Sequence, residues 1–237
     1  MDSLDIALLI LLGIYVVAIA GVTIRELYFG RKEGLREPRT EGLVSGKDVA
    51  ERMLKNANVE GVAVKPKDAI VQRYYYSPRR REIVISTHAC YNSGYYEVMR
   101  AATTAANAIQ CEEGYGMIDL YLWLAPVMEW MARMLPLFLI VGLSLIEFNP
   151  VLIGVSILAL WGLMLVLALM MRPVDKDAAR RSSEWLIANC VVAENERNRL
   201  ERIGRYLTNY NLMLVVTAGF AIFFLRAKMY WPSDKSV

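Results

Sequence analysis

The chain has 237 residues, 56% of them apolar, with a mean hydropathy of +0.31 and a formal net charge of +3. That is too apolar for an average soluble domain, and too near charge balance for a protein built around nucleic acid or strong attraction to a membrane surface. Three cysteines without framework spacing exclude a disulfide-stapled fold and fit a reducing compartment.

In chain order, the first apolar run, about Ile6 to Ile24, is long enough to cross a bilayer core. It follows Met1-Asp2-Ser3-Leu4-Asp5 and lacks the basic start and small-residue cleavage site of a secretory signal, so residues 1–27 are predicted to be an uncleaved anchor. Residues 28–41 read as a linker. Ser45 is a candidate N-cap with Asp48 three residues on, and Val49, Met53 and Leu54 follow at helical spacing. Val62-Ala63-Val64 and Ile83-Val84-Ile85 are runs of strand type, with Tyr76-Ser77-Pro78 supplying a turn between them. A helix is expected over 95–113, and residues 42–120 together make a small α+β unit. Further apolar runs at Leu135–Ile146, Val151–Met171 and Leu212–Leu225 predict second and third membrane helices within 121–172 and a fourth within 209–237. Between them, 173–208 reads as a charged helical arm with Trp185, Leu186 and Ile187 on its packing face.

Orientation follows from the basic residues at the ends of those runs. None precedes the first, whereas Arg25, Arg31, Lys32, Arg36 and Arg39 follow it, and Arg172, Lys176, Arg180 and Arg181 follow the third. The N-terminus is therefore expected outside, with the α+β unit on the cytoplasmic (or matrix or stromal) side of a bacterial or organelle inner membrane. Trp123, Trp130, Tyr230 and Trp231 look like interfacial anchors, and Glu129 and Arg133, one turn apart, can pair.

Residues 101–110 read Ala-Ala-Thr-Thr-Ala-Ala-Asn-Ala-Ile-Gln. Around them lie Gly42-Leu43 and Ser45-Gly46-Lys47-Asp48-Val49-Ala50, then Tyr76-Ser77-Pro78-Arg79, Ile85-Ser86, Ala125-Pro126-Val127, and Pro173-Val174-Asp175 followed by Ala179-Arg180-Arg181. In order and spacing these elements resemble the YugP-like membrane zinc metallopeptidases. The resemblance implies an α-helical integral membrane protein of about four transmembrane helices carrying a small α+β zincin-like cytoplasmic unit. In that family the motif helix carries His-Glu-x-x-His before Ala-Ile-Gln. Here Thr103 and Asn107 stand at the two histidine positions, Thr104 at the general-base glutamate, and Asp175 at the third metal ligand. The i, i+4 spacing keeps 103 and 107 on one helix face, but a neutral hydroxyl and an amide are poor zinc ligands.

The expected reading is thus a catalytically inactive pseudo-peptidase with no cofactor. It would serve as an accessory subunit among other membrane proteins of a larger complex, with a lean towards an energy-transducing one. The alternative is a hydrolase whose metal site is rebuilt from Asp175 with His88, Cys90 or Cys111; His88 and Cys90 would share a face if their segment were extended. No spacing groups these residues, or Cys190, into a recognised site. Ser86, at a strand end, reads as structural, and Glu112-Glu113 as a solvated helix end. Tyr74-Tyr75-Tyr76 with Arg79, Arg80 and Arg81 form a basic aromatic run suited to acidic lipid headgroups or a protein partner, with a plain solvated surface as the competing reading and nucleic acid disfavoured.

Overall fold

The computed structural model of the chain describes residues 17, 21, 44–67, 74–128, 130–131 and 150–216. They fall into two compact units, one within Arg36–Leu124 and Met171–Tyr210, the other within the remainder.

The first unit begins with helix α1, Gly46–Asn56. Its Ser45 cap is a complete capping box: the Asp48 N–H donates to Ser45 Oγ and the Ser45 N–H to Asp48 Oδ2, both at 3.2 Å. Asn58 in the left-handed region, φ 55°, closes the helix, with the Val59 N–H returning to the Leu54 carbonyl at 2.9 Å. Strands β1 (Ala63–Pro66), β2 (Tyr75–Ser77) and β3 (Glu82–Ile85) form a sheet of order β1-β3-β2. β1 runs parallel to β3 and β2 antiparallel to it. The central strand is buried throughout, which explains its unbroken Ile-Val-Ile run.

A short helix α2, Thr87–Tyr91, capped by Ser86, leads into helix α3, Tyr95–Glu112, the motif helix. Ala101, Ala102, Ala105, Ala106 and Ala108 on α3 have no exposed surface, and their small side chains let neighbouring elements approach closely. α1 packs against α3, and a β-carbon at Gly46 would lie only 2.5 Å from the Ala89 carbonyl oxygen, so no side chain is tolerated there without a backbone shift. After the turn at Gly114, residues 118–128 form helix α4. Helix α5 is continuous from Pro150 to Ala188, followed by α6, Arg197–Thr208, and α7, Tyr210–Val216. α6 returns to α3.

This is a mostly helical protein with a small sheet, and the expected integral membrane architecture of about four transmembrane helices is overturned. Among the described residues no helix is long and apolar enough to cross a membrane. The run Val151–Met171 is not a helix of its own; it is one half of α5, which continues into the charged arm. Met164, Ala168, Met171, Val174, Ala178 and Ser182 are buried at helical spacing through both halves, so one stripe of this helix packs inward, while Val155, Leu163, Val166, Leu169 and Met170 stay exposed. The run Ile6–Ile24 apart from Val17 and Gly21, the run Leu135–Ile146, most of Leu212–Leu225, the Glu129–Arg133 pair, Tyr230 and Trp231 lie outside the described residues. Nothing among the described residues supports the orientation drawn from the ends of those runs.

The arm is not one helix either. α5 runs through Pro173, although proline has no N–H to give the Leu169 carbonyl, and it ends at Ala188. There Cys190 adopts φ 54° and the Val191 N–H returns to the Leu186 carbonyl at 3.0 Å. Leu186 and Val191, brought together by that turn, are both core residues.

Candidate functional site

Along α3 the central positions 101, 102, 104–106 and 108–110 are buried, while Tyr96, Arg100, Thr103, Asn107 and Cys111 are half-buried. Their spacing of three and four puts the latter set on one stripe, the part of the helix that reaches towards the surface. Thr103 and Asn107 therefore share a face, as their spacing required. Thr104 does not: it is 3% exposed, so the position matched to the general base is closed to solvent. The Thr103 and Thr104 hydroxyls both donate to the Arg100 carbonyl, at 2.8 and 3.0 Å. Side chains that bond back to their own helix serve the backbone instead of a ligand.

Asp175 accepts a 2.7 Å hydrogen bond from the Tyr121 hydroxyl. The residue that reaches α3 is Asp177, which the sequence reading missed: Gln110 Nε2 donates to its Oδ2 at 2.9 Å and to the Val174 carbonyl at 3.4 Å. Burial works against the Asp177 charge, yet hydrogen bonds from Arg180, Gln110 and Arg181 outweigh it and hold the carboxyl below its usual range. Glu112 and Glu113 are not merely solvated. Arg81 holds Glu112 at 2.9 Å and Arg181 holds Glu113 at 2.6 Å, so the end of the motif helix is clasped to the β3 turn on one side and to α5 on the other.

The candidate alternative ligands are dispersed. His88 and Cys90 lie on α2, not on a strand, so their side chains diverge; His88 is exposed and Cys90 buried. His88 Nδ1 faces Glu97 Oε1 at 3.4 Å. Cys111 is half-buried, its thiol pushed up mainly by burial, and Cys190 is an exposed helix cap. Among the described residues no group of three or more His, Cys, Asp or Glu could hold a metal ion.

Next to the motif lies a polar cluster that sequence reading did not find. The Tyr74 hydroxyl donates to Glu97 Oε2 at 2.6 Å and contacts Ser86 Oγ at 2.8 Å, and Ser86 accepts the Ala89 N–H at 3.1 Å. The Arg100 guanidinium lies over the rings of Tyr74, Tyr210 and Tyr96 at 4.1, 5.0 and 5.9 Å, and donates to the Tyr96 hydroxyl at 3.0 Å. The Tyr74 side chain is thus committed to this cluster, Tyr75 and Tyr76 belong to β2, and Arg81 turns back to Glu112 and the Glu60 carbonyl. Arg79 and Arg80 remain outward.

Burial pushes the Tyr96 hydroxyl up to about 12, and burial with Glu97 beside it raises Tyr74 as well. Between the ordinary tyrosine value near 10 and about 12, the folded chain then holds protons that the unfolded chain has lost. Stability from this source is complete below pH ~10 and is lost as pH rises towards 12. Tyr96 should account for about 2 kcal/mol of that loss, allowing for its partial exposure. Unfolding midpoints across this range check it, and Tyr96→Phe should flatten the slope.

These residues sit in a chain of known kinship. A family profile described as "Putative neutral zinc metallopeptidase" matches residues 6–226, and the chain belongs to that family. It is similar to the "Putative membrane protease YugP" of Bacillus subtilis (strain 168), with 25% identity over 159 residues that span 67% of this chain and 69% of that protein. No solved structure matches the chain. At the four positions that the resemblance matches to the metal motif, two hydroxyls closed on a carbonyl, one amide and one carboxylate offer neither imidazole nor thiolate, a set that does not fit the zinc named in the family description.

Proposed function

We propose that this chain is a non-catalytic member of the metallopeptidase family that works by contact, as an accessory subunit of a protein complex at a membrane. The observation that carries the reading is the state of Thr103 and Thr104. Both hydroxyls are spent on the Arg100 carbonyl, and the base position is sealed in the core. A hydrolase would need an open donor set and a base within reach of water at this place. The surrounding architecture is nonetheless intact: α3 is packed, and clasped at its end by two ion pairs. A fold kept whole around a closed site supports a role through binding surfaces. The membrane location follows the name of the Bacillus relative, and the choice of an energy-transducing complex among membrane assemblies rests on the general use of small silent subunits there.

The test is purification of the tagged chain from its native membranes in mild detergent, with mass spectrometry of the eluate and metal analysis. Stoichiometric recovery of a defined set of other subunits, without zinc, is the expected result. Recovery of the chain alone with one equivalent of metal would overturn the proposal and bring back the rebuilt-site hydrolase.

A further inference from the structure

The three-residue turn between β2 and β3 carries two exposed arginines. Pro78, Arg79 and Arg80 form a single 3-10 turn, and Arg81 follows in the left-handed region at φ 46°. Because Arg81 folds back onto Glu112 at 2.9 Å, the run of three arginines is split: one braces the fold and two point outward. Lys65, from the neighbouring edge strand β1, joins them. Its Nζ and Arg80 Nη1 share the carboxylate of Glu82, at 2.8 and 3.5 Å, while Glu82 itself is only 6% exposed. The Lys65 and Arg80 side chains stay 59% and 73% exposed. Three cations against one buried carboxylate leave a fixed ledge of charge +2.

The surroundings decide what such a ledge suits. Among the described residues, the strands and turn that carry the ledge bear no exposed large apolar side chain, so they offer no anchor of their own of the kind that dominates protein–protein interfaces. Of the three tyrosines beside it, Tyr76 is 4% exposed, Tyr74 lies under Arg100 and Tyr75 is half-buried in β2, a poor platform for stacking successive bases. A ledge of excess positive charge matches a plane of anionic headgroups. We infer that Lys65, Arg79 and Arg80 dock the α+β unit onto anionic lipid, a contact that rests on the membrane location proposed above.

The experiment uses the full chain and two kinds of vesicle, phosphatidylcholine alone and phosphatidylcholine with phosphatidylglycerol, and reads the ratio of binding to the two. Wild type should favour the anionic vesicles, and the preference should shrink as salt is raised. Arg79→Gln with Arg80→Gln should cut the ratio about thirtyfold, the equivalent of ~1 kcal/mol for each charge removed near the surface. Arg52→Gln with Lys55→Gln, which removes the same charge from exposed positions on α1, should leave the ratio nearly unchanged. Thermal unfolding of both double variants, expected at the wild-type midpoint, separates lost binding from lost folding. Equal binding of wild type to both vesicles, or an equal loss in both variants, would overturn the inference. So would loss of a protein partner from the Arg79/Arg80 variant with its vesicle ratio intact. If cell fractionation finds the chain with the membrane but the Arg79/Arg80 variant keeps its ratio, only the ledge is refuted. Absence from the membrane fraction would refute the location as well.

Discussion

With Thr103→His, Thr104→Glu and Asn107→His combined, the chain should retain about one zinc per molecule, where the wild type retains none. Positions 103 and 107 share a helix face that is partly open, so two imidazoles there can converge on one ion. Asp175, the position that the resemblance matches to the third ligand, accepts the Tyr121 hydroxyl at 2.7 Å and is the carboxylate this variant tests. Thr104→Glu by itself should be costly, several kcal/mol, because it forces a carboxylate into a position that is 3% exposed. In the triple variant that cost should depend on metal: zinc at a hundred times its dissociation constant stabilises a folded site by ~2.7 kcal/mol, and a chelator should withdraw it. The wild-type unfolding midpoint should respond to neither. Elemental analysis and unfolding with and without zinc read both quantities. Zinc already present in wild type would refute the non-catalytic reading. A triple variant that stays empty would show instead that Asp175 does not face the motif, and adding Asp175→Ala to a zinc-bound triple variant should weaken the metal's hold.

The parts of this fold that sequence revealed are those set by near neighbours. The Ser45 cap with Asp48, the strand-type runs at 62–64 and 83–85 and the helix over 95–113 are each dictated within a few residues, and the structure forms them with strands at 63–66 and 82–85 and a helix at 95–112. Family kinship was legible too, because it lies in short elements in fixed order. What escaped was decided at long range or by context. Tyr76-Ser77-Pro78 reads as a turn, yet only Pro78 belongs to one, and Tyr76 and Ser77 pair with β3. His88 and Cys90 would share a face on an extended segment, but Ser86 caps a helix there. Pro173 suggests a break, while burial of Val174 and Ala178 keeps α5 continuous past it. Hydropathy alone counted crossings, and it could not tell a run used for a packing stripe from one that spans a membrane. The contact of Gln110 with Asp177 joins residues 67 positions apart, a distance no local pattern encodes.

Arg100→Ala should destabilise the first unit more than any other single change near the motif, by roughly 3–5 kcal/mol. Its guanidinium is the cation among three tyrosine rings and acts electrostatically on Glu97, a carboxylate only 4% exposed. Removing it leaves that carboxylate with the Tyr74 hydroxyl and His88 as its described polar contacts, and leaves a gap between α3, the segment before β2, and Tyr210. Arg100→Lys should recover only part of the loss, because a lysine ammonium cannot lie flat on three rings. The decisive comparison is with Glu97→Gln. If the charge left behind is the main cost, the double variant Arg100→Ala, Glu97→Gln should be more stable than the sum of the two single effects allows, by at least ~1 kcal/mol. Additivity within ~0.5 kcal/mol would mean that Arg100 holds the fold by packing on the tyrosines alone. The same cluster anchors the helix that carries the motif positions, at the very residue whose carbonyl Thr103 and Thr104 close upon. Its loss should therefore free both hydroxyls along with the fold, and hydrogen exchange at 103–107 should rise in Arg100→Ala well before the α1 amides are exposed.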